Sequence, residues 1–257
     1  METIILAVKP GEVSAGGTWG RPLAHLAYRM GEGPHLFRAN SPVAPRGGLM
    51  VIEDTGFQGG GEAEPFCNEV LRECAARRFQ GVVCRFLGKP RAILEQIVLH
   101  LGEVCPRRGL SLYVTESCAG TGAGRVLIST ALSGGTLRGR LEAAAERYGR
   151  ERVCLWMERT AEDFLLPSPS GAGAPLTVEE LNRRREERGA SVFFSPELCA
   201  HYFTYMAGEK GHFVLFDDAG SMSRKLAQAG QLGISTAFLP YTANADLLGE
   251  LLGESKK

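Results

Sequence analysis

The feature that most constrains this chain is a series of eight short apolar runs, each ending in polar residues: 48–54, 81–87, 110–116, 125–130, 152–158, 191–195, 212–217 and 233–239. Most are rich in β-branched and aromatic residues, and their hydrophobicity is continuous rather than alternating. That pattern marks strands buried on both faces, as in a parallel sheet. Between the runs, apolar residues recur at helical spacing. Phe66, Val70, Leu71 and Cys74 form a stripe over 63–79, Ile93, Ile97 and Leu101 over 90–105, and Leu137, Leu141 and Tyr148 over 136–149. Thr177 and Glu180 have capping-box spacing, in which each side chain answers a free backbone N–H at a helix start. Ser221 and Asn244 read as caps of helices over 221–232 and 244–253. Alternating strands and helices define βαβ units.

Eight such strands close a (β/α)8 barrel of TIM type, for which about 210 residues is compact but sufficient. The expected organisation is a barrel over 48–257 behind an N-terminal extension, 1–47, with short strands near 4–8 and 35–38. An open doubly wound sheet uses the same eight strands and stands as the rival. One join is short. Only 117–124 separates the third and fourth runs, whereas a parallel crossover usually takes a dozen or more residues. Either a turn replaces a helix there, or one run is not a strand. Residues 167–175 read as a loop from their Pro, Ser and Gly content.

Composition removes several functional classes. Lys and Arg number 29 against 29 Asp and Glu, which gives no electrostatic case for nucleic acid or an anionic membrane. At 44% hydrophobic and 23% charged, the chain is not a disordered one. No run approaches the ~18 apolar residues of a membrane helix. The first eleven residues lack the basic head and cleavage site of a secretion signal, so a cytoplasmic protein is expected. Seven cysteines without a C-x-x-C pair read as reduced, buried thiols. His25, His35, His100, His201 and His212 form no H-x-x-x-H pair, so neither a metal nor a cofactor is expected. Gly120-Thr-Gly-Ala-Gly124 leads into a strand and lacks a P-loop lysine, which makes it a turn rather than a phosphate loop. Ser133-Gly-Gly135 precedes a helix and either holds an anion on its backbone N–H groups or simply turns the chain. Residues 183–188, with interspersed Arg and Glu, read as a solvated helix face.

In a parallel barrel the C-terminal strand ends surround one pocket. The residues at those ends include Glu53, Asp54, Arg85, Glu116, Glu197, Glu158, Asp217, Asp218 and Tyr241. Carboxylates, an arginine and aromatics together suit a carbohydrate or another polar small molecule. The ordinary alternative is that strands end at solvent and are polar for that reason. Glu158 is the sharpest candidate. Side chains alternate along a strand, so Cys154, Trp156 and Glu158 share one face. If that face is interior, the indole lies beneath the carboxylate, and burial against it favours the protonated acid. If the face is exterior, Glu158 pairs with an arginine instead. Glu116 and Asp218 are the candidate second carboxylates. Asp54, Arg85, Trp156, Asp163, Tyr205 and Tyr241 are candidate substrate-binding residues, the tyrosines serving either as sugar contacts or as packing.

The layout from Gly48 to about Leu252 resembles a family 18 glycoside hydrolase, the chitinase-type barrel. Ser129-Thr-Ala-Leu-Ser-Gly-Gly135 resembles that family's S-x-G-G strand end, with Leu132 in place of the first Ser. Residues 152–158, followed by Asp163 and Phe164, resemble the strand of its D-x-x-D-x-D-x-E acid motif. Aligned on Glu158, the motif's three aspartates are replaced by Glu151, Cys154 and Trp156. The resemblance implies that Glu158 is the general acid. It also implies that Trp156 cannot do the work of the aspartate that positions the substrate's acetamido group. Three functions follow as expectations: hydrolysis of a glycoside with Glu158 as proton donor, binding of a glycan or protein without turnover, or a phosphate-binding enzyme built on Ser133-Gly-Gly135. Oligomeric state is left open.

Overall fold

The computed structural model describes residues 1–41, 44–89, 91–132, 134–167 and 171–253. In chain order the strands are β1 (Thr3–Val8), β2 (Leu23–Gly31), β3 (His35–Arg38), β4 (Leu49–Glu53), β5 (Gly81–Arg85), β6 (Ser111–Thr115) and β7 (Arg125–Ser129). They continue as β8 (Val153–Trp156), β9 (Ala161–Leu166), β10 (Ala174–Pro175), β11 (Phe193–Ser195), β12 (Ala200–Ala207), β13 (Lys210–Phe216) and β14 (Thr236–Pro240). The helices are α1 (Val13–Gly17), α2 (Ala63–Arg77), α3 (Ala92–Arg107), α4 (Leu137–Tyr148), α5 (Val178–Glu187), α6 (Ala219–Gln231), α7 (Tyr241–Asn244) and α8 (Leu248–Leu251).

β1 pairs in parallel with β2 on one side and with β14 on the other. The ring β1-β2-β4-β5-β6-β7-β8-β14 therefore closes, and an open sheet is excluded. β3 folds back antiparallel along the far half of β2, with Gly31 opposite His35.

These eight strands are not the eight apolar runs. Residues 1–47 are no appendage, since they supply the first two barrel strands, and the expected boundary at Gly48 falls between the second and third. β2 is hard to see in sequence because it buries His25, uses small alanines and shifts register between His25 and Tyr28. Conversely, the runs at 191–195 and 212–217 belong to a second sheet, ordered β10-β9-β13-β12-β11 and antiparallel throughout. This sheet is inserted between β8 and α6. Its strands read like barrel strands because each face of the sheet carries a small apolar cluster, although the run at 191–195 is largely exposed. One face packs Phe203, Val214 and Phe216 against Leu181 of α5, and the other buries Phe164, Ala200 and Leu215.

The barrel has two apolar layers, which explains its continuous runs. Met50 and Ile52 of β4 and Val153 and Leu155 of β8 point outward into the helix layer, with the stripes of α2 and α3. Leu49, Val51, Cys154 and Trp156 point inward. There, Ala7 and Ala24 make room for Tyr113, Trp156 and Phe238, whose rings meet at centroid separations of 5.0 Å (Tyr113–Phe238) and 5.8 Å (Trp156–Phe238). Each large side chain fully buried this way contributes roughly 1.5–3 kcal/mol over an exposed one. Gly48 enters β4 at φ +62°, and a Cβ there would fall 2.2 Å from the Leu23 carbonyl oxygen. Only glycine fits both demands.

The short join is resolved by a 3-10 turn, Glu116–Thr121, that links adjacent parallel strands without a helix. α6 starts earlier than its sequence implied. Asp218 is the cap, accepting from Ser221 N at 2.8 Å, while Ser221 Oγ accepts from Asp218 N at 3.0 Å. Asn244 ends α7 rather than starting a helix, and its side-chain amide donates to the Pro240 carbonyl at 2.9 Å. Thr177 and Glu180 form the expected capping box on α5. All seven cysteines are free and buried. Burial pushes the thiols of Cys67, Cys74 and Cys154 up to about 12 and that of Cys105 up to about 11. Among the described residues no helix is long and apolar enough to cross a membrane, and no His, Cys, Asp and Glu cluster could hold a metal.

Candidate functional site

The mouth of the barrel is floored by Trp156. This residue ends β8 on the inward face, and after it the backbone turns sharply, Glu158 N donating to the Trp156 carbonyl at 3.0 Å. The turn brings the Glu158 carboxylate over the opening, where it and the indole line the same space. Between them lies Arg85, from the end of β5. Its guanidinium sits over the indole, 4.8 Å from the ring centroid. Its Nη1 donates to Glu53 Oε1 at 2.6 Å, and its Nη2 lies 3.6 Å from Glu158 Oε1. The other Glu158 oxygen accepts from Ser129 Oγ at 2.6 Å. Glu158 thus stands inward and also meets an arginine, a combination that neither sequence-based alternative contained. Its side chain is 39% exposed, so the burial expected of it is only partial.

Two lobes share Arg85, Trp156 and Glu158 as a common wall. The smaller, about 240 Å³, runs past Thr115, Ser117 and Glu116. Glu116 is clamped there by both terminal nitrogens of Arg140 and approached by the Tyr148 hydroxyl at 3.4 Å. The larger, about 580 Å³, opens toward Lys9, Glu53, Arg159, Glu162 and Thr242. Glu162 stands on β9, at the root of the inserted sheet. Burial, and then the charge of Glu158, raise its carboxyl above the usual carboxylate range.

Of the sequence-derived candidates, Arg85, Glu116, Trp156 and Glu158 come together at this mouth. Five others do not line it. Asp54 is buried behind it, its oxygens accepting from Leu87 N at 2.9 Å and Gly88 N at 3.0 Å, so it anchors the loop after β5. Asp218 is occupied as the α6 cap and faces His201 at 3.2 Å. Its strand, β13, belongs to the second sheet and not to the barrel, so its tip is not one of the barrel strand ends around the mouth. Asp163 and Tyr205 do meet, the hydroxyl donating to Asp163 Oδ2 at 2.8 Å, but on the α5 face of the inserted sheet. Tyr241 begins α7 and packs against the outer core. Ser133 lies outside the described residues.

Sequence reasoning missed Ser129, Glu162 and Lys9 as parts of the site. Ser129 closes a strand that had been recognised, so its signal was present. Lys9 follows β1, which read as an extension, and Glu162 sits on a strand that falls outside the eight apolar runs.

This geometry belongs to a known architecture. The chain is similar in fold to a chitinase from Chromobacterium violaceum ATCC 12472, with 14% identity, a TM-score of 0.72 and 100% of both chains covered. It is also similar to a class V chitinase from Pseudomonas fluorescens Pf-5, at 12% identity and a TM-score of 0.71, again over 100% of both chains. The spore cortex-lytic enzyme SleL of Bacillus megaterium QM B1551 matches at 13% identity and a TM-score of 0.67, over 93% of this chain and 70% of that one. No protein-family model and no curated protein matches the sequence. The fold is a TIM-type (β/α)8 barrel similar to those of these enzymes, as the sequence led one to expect.

Proposed function

We propose that the mouth binds a carbohydrate without cleaving it. The observation that carries this reading is the position of Arg85, wedged between Glu53 and Glu158 on the face of Trp156. Glycoside hydrolysis needs one carboxyl free to protonate the leaving oxygen and a second group to attack or to activate water. Both Glu158 oxygens are directed at Ser129 and Arg85, and Glu116 is closed off by Arg140. What remains suits recognition. The larger lobe is of ligand size, and its Arg, Glu and Thr side chains can meet sugar hydroxyls as donors and acceptors. The similar barrels are named for chitin and for the spore cortex, so chitin oligosaccharides and spore-cortex fragments are the ligands to try first.

Titration calorimetry with these ligands should give saturable binding, weakened about tenfold or more in Arg85→Ala, the loss of a charge-assisted contact. Chromatography of the same mixtures after long incubation should return the oligosaccharides at full length. Shortened products that disappear in Glu158→Gln would overturn the non-hydrolytic reading, and no binding across the panel would remove the carbohydrate itself. A second reading is favoured by Glu162, whose raised proton affinity is what a general acid requires. In that case cleavage persists in Glu158→Gln and vanishes in Glu162→Gln.

A further inference from the structure

On the inserted sheet, Glu162 and Asp163 are neighbours on β9 and point to opposite faces. Glu162 reaches the barrel mouth, and Asp163 lines a separate cavity of about 600 Å³ between the sheet and α5. The Asp163 side chain is only 5% exposed and is fully engaged. Arg184 and the Tyr205 hydroxyl bond one oxygen, and His212 Nδ1 lies 2.9 Å from the other. Its charge is thus spent on holding Arg184 in place. Above it is a stack. The Tyr205 ring lies on His212 at a centroid separation of 4.5 Å, tilted by 10°, and the Arg188 guanidinium lies over the Tyr205 ring, 5.2 Å from its centroid. Neither Arg188 nor Lys210 across the cavity has a carboxylate partner among the described residues.

The lining described here carries four fixed cations, Arg183, Arg184, Arg188 and Lys210, against the carboxylates of Asp163 and Glu187, a surplus of two. We propose that this cavity is an anion site for a phosphomonoester or free phosphate, separate from the carbohydrate mouth. The surplus matches a phosphate dianion, which carries about −1.5 to −2 at pH 7, better than the single charge of a carboxylate. Guanidinium groups present paired donors that fit phosphate oxygens. Arg188 is already oriented by its ring contact, so less side-chain freedom is lost on binding. The stretch 183–188 is then a binding face of α5 and not only a solvated one.

The test is calorimetry at low ionic strength with glucose 6-phosphate, inorganic phosphate, glucuronate and glucose. Both phosphates should bind saturably, glucuronate about tenfold more weakly, and glucose not at all, with affinity falling as salt is added. Arg188→Ala and Lys210→Ala should each weaken phosphate binding by about fivefold. Both side chains are exposed, so the fold should survive, and an unchanged melting temperature verifies it. Arg85→Ala at the mouth should leave phosphate affinity as it was, which keeps the two sites experimentally distinct. Tighter binding of the ester than of the free ion assigns a sugar-phosphate-like ligand, and the reverse assigns the ion. Glucuronate binding as tightly as phosphate, or full affinity in the Arg188→Ala, Lys210→Ala double variant, would overturn the proposal.

Discussion

Lys225 is a cation buried almost completely. Its side chain is 1% exposed, and that of its partner Asp217 is 0% exposed. The ammonium donates to Asp217 Oδ2 at 2.7 Å and to the Thr130 carbonyl at 3.3 Å. Asp217 in turn accepts from Thr160 N at 2.9 Å and from Ser221 Oγ at 2.7 Å. Two desolvated charges are tolerable here because each meets the other and further hydrogen-bond partners. Lys225→Met leaves a buried carboxylate without its cation and should lower stability by about 3–5 kcal/mol in urea unfolding. A loss under about 1 kcal/mol would mean that water reaches the pair. Glu162 acts through pH. Its carboxyl binds its proton more tightly in the folded chain than in the unfolded one, so this group favours the folded state at acidic pH. That contribution is lost as pH rises from the ordinary glutamate value through the raised one. Melting temperatures across that window should fall less with pH in Glu162→Gln than in the parent. The effect should be small, because the carboxyl is only partly withdrawn from water.

The loop after β5 shows how a residue that does not line a site can still position it. Asp54, at the end of β4, grips the amides of Leu87 and Gly88, and a Cβ at Gly88 would lie 2.5 Å from Asp54 Oδ2. Gly88→Ala should push the carboxylate off those amides, cost about 1–3 kcal/mol for the buried acceptor, and weaken ligand binding in the smaller lobe that Leu87 and Gly88 line. Unchanged melting and binding would show that the loop can shift freely. This arrangement also marks the limit of what was legible. A carboxylate at a strand tip has the same sequence signature whether it faces a ligand, as Glu158 can, or a neighbouring loop, as Asp54 does. Most barrel strands were legible because both of their faces are buried, β2 being an exception, and the apolar runs of the inserted sheet were mistaken for barrel strands. Arg85 and Trp156 were expected near strand ends, but period-2 alternation left open whether Trp156 faces the interior. Their contact was not readable, because it joins residues from two strands that do not pair with each other.

At the scale of the whole molecule, the inserted sheet joins the barrel at a neck that carries apolar contacts as well as hydrogen bonds, with Phe194 and Cys199 packed against the barrel's outer core and Leu137 N donating to the Glu197 carbonyl at 2.8 Å. The inserted sheet has its own apolar clusters and returns to the barrel where Asp217 N donates to the Thr160 carbonyl at 2.8 Å. Cys199 sits near this neck, its thiol 3.9 Å from the Ser221 carbonyl, at the edge of the outer core that also holds Cys67, Cys74, Cys84, Cys105 and Cys118, and it is the one cysteine contributed by the inserted segment. A unit with its own core can open at a lower free energy than the barrel, since local opening follows the contacts that must be broken. Thiol labelling followed by mass spectrometry therefore separates the two. Native protein should resist labelling, because the thiols are enclosed and burial disfavours the thiolate. In urea below the main transition, Cys199 should be labelled first and alone, and the remaining six should follow together as the barrel unfolds. Lys225→Met should bring the Cys199 step to lower urea, because the ion pair it removes holds the neck. Labelling of all seven in one step would mean that the insertion and the barrel unfold as one body.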